Sequence, residues 1–234
     1  MMGTVLRRIL ALLVVVTVGA TACGDDGTVA QTPISTKEPT LPTDPPPTTT
    51  TTTVPVRKRD VFVVGDSLTV GCLDFFTEAA ARVGFEFDAS AEIGREIPDG
   101  VTELQTNSPG RRLVVIALGT NDSTAGAKDE ELIGRIDAAL AAVPKAVPIV
   151  WVPPYRDPKT ASGKVADRFN QLVRQAATRR GNVLVVDWVG FVKQDPKIMD
   201  SDRIHLTDAG YQKRADWLAR VIKAQLDLRP VAGS

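Results

Sequence analysis

Residues 60–69 read Asp-Val-Phe-Val-Val-Gly-Asp-Ser-Leu-Thr: an apolar, β-branched run that stops at a glycine and turns at once into polar residues. Behind it Leu68, Cys72, Phe75, Phe76, Ala79 and Val83 recur at helical spacing, which predicts one helix with a single buried face. Strand, polar turn and helix together make the first half of a β-α-β unit, and the pattern recurs downstream. Phe85–Ala89 reads as a second strand. Leu113–Leu118 reads as a third, nearly all apolar, as a strand covered on both faces must be. Val147–Val152, closed by Pro153-Pro154, and Val183–Trp188 are the fourth and fifth. Helical stripes fall between them, at Leu132, Ile133, Ile136, Ala139, Leu140 and Val143, and at Val165, Phe169, Leu172, Val173 and Ala176. A last helix spans Asp208 to Leu226. Alternation of this kind predicts a five-stranded parallel sheet with helices on both faces, a three-layer α/β/α sandwich.

Composition bounds the chemistry. The chain has 234 residues, 28 Lys+Arg against 28 Asp+Glu, and 43% hydrophobic residues. That suffices for one packed core, and the zero net charge argues against a nucleic-acid partner, which favours a basic surplus. Two cysteines and one histidine cannot build a Cys/His zinc cluster or a disulfide-dense scaffold. Any step that needs imidazole must use His205. No metal or diffusible cofactor is expected.

The N-terminal part reads as address and tether. Arg7-Arg8, an apolar run from Ile9 to Val18 and the small residues Gly19-Ala20-Thr21-Ala22 describe an export signal over 1–22, too short for a comfortable transmembrane helix. Cys23 follows at once, and this junction resembles the lipobox of bacterial lipoproteins, although Ala20 stands where that family usually has Leu. The resemblance implies that Cys23 becomes the lipidated first residue, anchored on the outer face of the cell membrane. Cleavage after Ala22 to give a plain secreted protein, or an uncleaved anchor, is the alternative. Residues 28–56 hold 11 Thr and 7 Pro, with six consecutive threonines at 48–53. Such a stretch favours extended polyproline II and, at about 3.1 Å per residue, reaches on the order of 90 Å. The expected division is therefore signal 1–22, lipidated Cys and linker 23–57, and a folded domain 58–234.

In open parallel sheets, ligands bind outside the carboxyl ends of the strands. Those ends carry Gly65-Asp66-Ser67-Leu68, then Ile93-Gly94-Arg95, then Gly119-Thr120-Asn121-Asp122, and, ahead of the last helix, Asp202-Arg203-Ile204-His205. A serine, an asparagine and the sole histidine with an aspartate three residues before it are the parts of an acyl-transfer site. Singly, each has a structural use: Ser67 as a helix cap, Gly94 as a turn glycine, Asn121 as a loop cap, His205 as a packed side chain.

Together and in this order, Ser67, Gly94, Asn121 and His205 resemble the SGNH (GDSL-type) hydrolases over roughly residues 60–226. The stretch from Asp187-Trp188 to Leu206-Thr207 is also similar to the extracytoplasmic SGNH domains of envelope acyltransferases. The resemblance implies Ser67 as nucleophile, His205 as general base and Asp202 as its orienting carboxylate. It implies an oxyanion hole from the N–H groups of Ser67 and Gly94 and the Asn121 amide. Ser67 is expected at a helix N-terminus that favours negative charge, and Gly94 is expected because bulk there would obstruct the substrate's approach.

Trp151 and the Pro153-Pro154-Tyr155-Arg156 loop, near the same strand ends, are further candidates to line a substrate cleft, with packing as the competing use. Arg95 beside Gly94 is a candidate for an anionic or sugar substrate, with a solvated surface charge as the alternative. Cys72, on an apolar stripe, reads as a buried, inert thiol, with a disulfide to Cys23 as the alternative. The expected activity is hydrolysis or transfer of short acyl groups, such as O-acetyl esters on envelope carbohydrate or another small ester. A non-catalytic glycan-binding lipoprotein, and a lysophospholipase or thioesterase, are the competing readings.

Overall fold

The computed structural model describes residues 60–229. β1 (Val61–Gly65) is buried along its whole length, and its side chains feed alternate cores. Val61 and Val63 enter one apolar cluster, Phe62 and Val64 the other. β2 (Phe87–Ala91), β3 (Leu113–Ala117), β4 (Ile149–Trp151) and β5 (Val183–Val185) complete a sheet of order β2-β1-β3-β4-β5. Every neighbouring pair is parallel, with Val63 opposite both Ala89 and Val115. This is the flavodoxin-like plan, and its strand order reverses between β1 and β3, the position outside which such sheets bind their ligands. The expected three-layer α/β/α architecture is what the chain adopts.

One face of the sheet is covered by α1 (Ser67–Val70), α2 (Leu73–Val83), α6 (Trp188–Gln194) and α7 (Asp208–Asp227), with Phe76, Trp188, Leu218 and Ile222 in its core. The other carries α3 (Ile97–Asn107), α4 (Asp129–Ala142) and α5 (Ala161–Arg180), packed through Leu104, Ile136 and Phe169. Both sides of β3 are thus dry, which is why its sequence is uniformly apolar rather than alternating.

Several boundaries differ from the sequence reading. The single helix expected from Leu68 to Val83 is two, broken at Gly71-Cys72. A Cβ on Gly71 would lie 2.5 Å from the Tyr211 ring of α7, so close packing there requires glycine. β2 begins at Phe87, not Phe85. Gly84, at φ 84°, ends α2 in the left-handed conformation, and the Phe85 N–H donates to Ala80 O. Phe85 therefore closes a helix end, its ring edge-on to Phe76, rather than opening a strand. β5 stops at Val185 because Asp187 caps α6, its Oδ1 accepting from Gly190 N at 2.9 Å. α3 and α6 were not anticipated, although Ile97, Val101 and Leu104 carried a helical spacing.

Candidate active site

The nucleophile candidate sits where β1 meets α1. Asp66 is the N-cap: its Oδ1 accepts from Leu68 N at 3.0 Å and fixes the sharp turn that presents Ser67. α1 is a single turn, so what it offers Ser67 is local N–H groups and not the summed dipole of a long helix, contrary to the expectation above. Burial pushes the Asp66 carboxyl above its ordinary pKa, against the opposing pull of the Thr120 hydroxyl, the Arg214 guanidinium and the Leu68 N–H.

His205 comes from the far end of the chain. Residues 200–205 form a tight loop whose base is closed by an antiparallel bridge between Met199 and Leu206 and by Asp200 N donating to His205 O at 2.9 Å. Arg203 at its tip has φ 58°, a left-handed conformation costing a non-glycine residue about 1–2 kcal/mol. That kink lets Asp202 Oδ1 accept from both Ile204 N (2.8 Å) and His205 N (2.9 Å), while Oδ2 lies 2.6 Å from His205 Nδ1. A carboxylate can only accept, so Nδ1 carries the proton and donates. His205 Nε2 is then the acceptor, 3.0 Å from Ser67 Oγ. Burial pushes the Asp202 carboxyl upward, but the hydrogen bonds from His205 and the two N–H groups outweigh it and hold its pKa at about 2. The structure thus brings Ser67, His205 and Asp202 into one hydrogen-bonded chain.

Gly94 and Asn121 lie in the loops that follow β2 and β3. Asn121 Nδ2 donates to Arg95 O at 2.9 Å, which ties the loop after β3 to the loop after β2 and leaves the second amide hydrogen uncommitted among the described residues. Gly94 has φ 80°, and a Cβ there would meet no protein atom. Backbone conformation, not crowding by the protein, is what calls for glycine at this position. Asp122 is buried beneath: both its oxygens lie 3.2 Å from Ile97 N, and Arg135 Nη1 donates to Oδ1 at 2.7 Å. Burial raises the Asp122 pKa, against the hydrogen bonds from Arg135 and Ile97.

The tentative substrate contacts fare differently. Trp151 is fully buried and packs near Phe169 with ring centroids 6.3 Å apart, so it belongs to the core and lines no cleft. Arg95 is also buried: Nη1 donates to Ser90 O at 2.8 Å and to Ser90 Oγ at 3.1 Å, and Nη2 to Glu92 Oε2 at 3.2 Å. It braces the strand ends and does not reach outward. Tyr155 is half-buried against the α7 side of the core. Cys72 is a buried free thiol whose pKa burial pushes up to about 11, in keeping with an inert packing role. Cys23, the signal and the linker lie outside the described residues. Arg156, at the end of the Pro153–Arg156 loop, is tied to the site: its Nε and Nη2 both donate to Thr120 O, at 3.1 and 2.7 Å. The large surface groove lined by Asp60, Gly84, Phe87, Arg112 and Lys223 lies at the amino ends of the strands, away from this chemistry.

Residues 63–213 match the GDSL-like Lipase/Acylhydrolase family. An O-acetyltransferase OatA of Staphylococcus aureus is 25% identical over 175 residues, 72% of this chain but only 26% of the relative's length. Among solved structures, the C-terminal catalytic domain of peptidoglycan O-acetyltransferase A from Streptococcus pneumoniae superposes with a TM-score of 0.60 at 20% identity, covering 73% of this chain and 96% of that one. An acetyl xylan esterase from Geobacillus stearothermophilus gives 0.58 at 16% identity, over 75% and 97%.

Proposed function

The chain belongs to the GDSL-like lipase/acylhydrolase family, and on that premise we propose that it is an exported serine esterase acting on short acyl groups, such as O-acetyl esters of envelope carbohydrate. The observation that carries this reading is the continuous chain from Ser67 Oγ through His205 to Asp202. Ser67 Oγ attacks the ester carbonyl as His205 Nε2 takes its proton. The Ser67 and Gly94 N–H groups and the free hydrogen of the Asn121 amide stabilise the tetrahedral oxyanion. Its collapse breaks the ester C–O bond, and the imidazolium protonates the departing sugar alcohol. Water, or a second alcohol, then attacks the acyl-Ser67 ester with His205 again as base; water completes hydrolysis, an alcohol completes transfer. His205 and Asp202 are more than 40% exposed, which suits a bulky glycan better than an enclosed lipid tail.

Acylation of Cys23 would hold the enzyme on the outer face of the membrane, with the Thr/Pro stretch as spacer. The purified chain, assayed on p-nitrophenyl esters from acetyl to dodecanoyl, is expected to favour the short ones and to lose activity in Ser67→Ala. Inactivity on every ester overturns the esterase reading. Wild-type protein should fractionate with membranes and Cys23→Ser should not; wild type found wholly soluble overturns the anchor.

A further inference from the structure

Beyond β4 the chain runs through Pro153-Pro154-Tyr155 and delivers Arg156 to the carboxyl end of the sheet. Its guanidinium is fixed from one side: Nε (3.1 Å) and Nη2 (2.7 Å) both donate to the carbonyl of Thr120, the residue before Asn121. That grip consumes one edge of the planar fork. The end edge, Nη1 with the second Nη2 hydrogen, keeps parallel N–H vectors spaced for the oxygens of a carboxylate. The carboxylates whose charge Arg156 feels are Asp66 and Asp202. Neither forms an ion pair with it. Asp66 is buried on the Leu68 N–H, and Asp202 is held by His205 and its own turn. No acidic side chain among the described residues forms an ion pair with Arg156, which is half-buried. Burial lowers its pKa despite the pull of both aspartates, so the cation is under-compensated where it stands. A guanidinium does not shed its proton to escape this; an incoming anion relieves it.

We propose that Arg156 is a specificity site that binds a carboxylate carried by the acylated sugar, beside the ester that Ser67 attacks. The proposal rests on the esterase reading and narrows its substrate to an acidic glycan. A purely structural latch on Thr120 would act on every substrate alike, whereas a carboxylate site discriminates between them.

The test compares an O-acetylated glucuronate disaccharide with its O-acetylated glucose counterpart, using the full chain, Arg156→Gln and Arg156→Lys. Wild type is expected to prefer the acidic substrate by about tenfold to a hundredfold in kcat/KM, mainly through KM, and less so at high salt. The preference should collapse in Arg156→Gln and survive in part in Arg156→Lys, which keeps the charge but loses the fork. Equal use of both substrates by wild type, or a preference that persists in Arg156→Gln, overturns the proposal while leaving the esterase reading standing. Calorimetric titration with unacetylated glucuronate disaccharide separates the two failures. Binding by wild type that is lost in Arg156→Gln, from a chain that cleaves no ester, sustains the site and overturns the esterase reading. Tighter binding of inorganic phosphate than of glucuronate overturns the assignment to a carboxylate.

Discussion

Asp66 stands one residue before the serine and Asp202 three before the histidine, yet the two carboxylates have opposite fates. Asp66 is 1% exposed, spends Oδ1 on the Leu68 N–H, and has a pKa raised by burial. The Asp202 side chain is 45% exposed, has its oxygens bonded to two backbone N–H groups and the imidazole, and has a pKa held at about 2. Burial disfavours the charged form, whereas N–H donors and solvent favour it. Only the second arrangement supplies a standing negative charge to balance an imidazolium. Nearness in sequence to a reactive group therefore does not assign a role; the atoms that a carboxylate reaches do.

The sharpest way to break this contrast is Asp202→Asn. It preserves an Oδ1 acceptor for the turn and removes the anion at His205 Nδ1, so kcat should fall roughly a thousandfold to ten-thousandfold. A loss below tenfold in steady-state kinetics would make Asp202 a loop cap like Asp66. Asn121→Ala comes next: if its amide serves the oxyanion as proposed, kcat should drop by about a hundredfold to a thousandfold with KM little changed. Near-normal kcat would remove Asn121 from the reaction.

Asp66→Ala should show the inverse pattern. Removing the cap on Leu68 N should cost about 1 kcal/mol in a denaturant melt, with a far smaller fall in kcat for the folded fraction than Asp202→Asn gives. A stable but inactive Asp66→Ala would erase the distinction.

The smallest effect is the pH dependence of Tm, where the two residues have opposite signs. Asp202, with its pKa lowered, adds stability above the ordinary carboxylate value of about 3.9 that is lost as pH falls toward about 2. Asp66, with its pKa raised, favours the folded state most at low pH, and that contribution is lost as pH rises from about 3.9 through its folded value. The Tm gap between wild type and Asp202→Asn should therefore shrink on acidification, and the gap to Asp66→Asn should move in wild type's favour. Parallel curves would refute the assigned environments.

Much of the molecule was legible in the linear chain. Apolar runs alternating with helical stripes determined a parallel sheet with both faces covered, because only that packing dries a strand such as Leu113–Ala117. The sheet in turn marked its carboxyl ends as the place for Ser67, Asn121 and the Asp202–His205 pair. Side-chain direction was not legible. Trp151 and Arg95 flank the same strand ends as Ser67 and Asn121, but one enters the core against Phe169 and the other folds back onto Ser90. Arg156 reaches Thr120 across 36 positions, Asn121 reaches Arg95 across 26, and Ser67 reaches His205 across 138. Sequence carries the period of burial, which is local and set by each strand and helix. Which polar atoms meet is set by how the loops stack over a twisted sheet, and no local period encodes that.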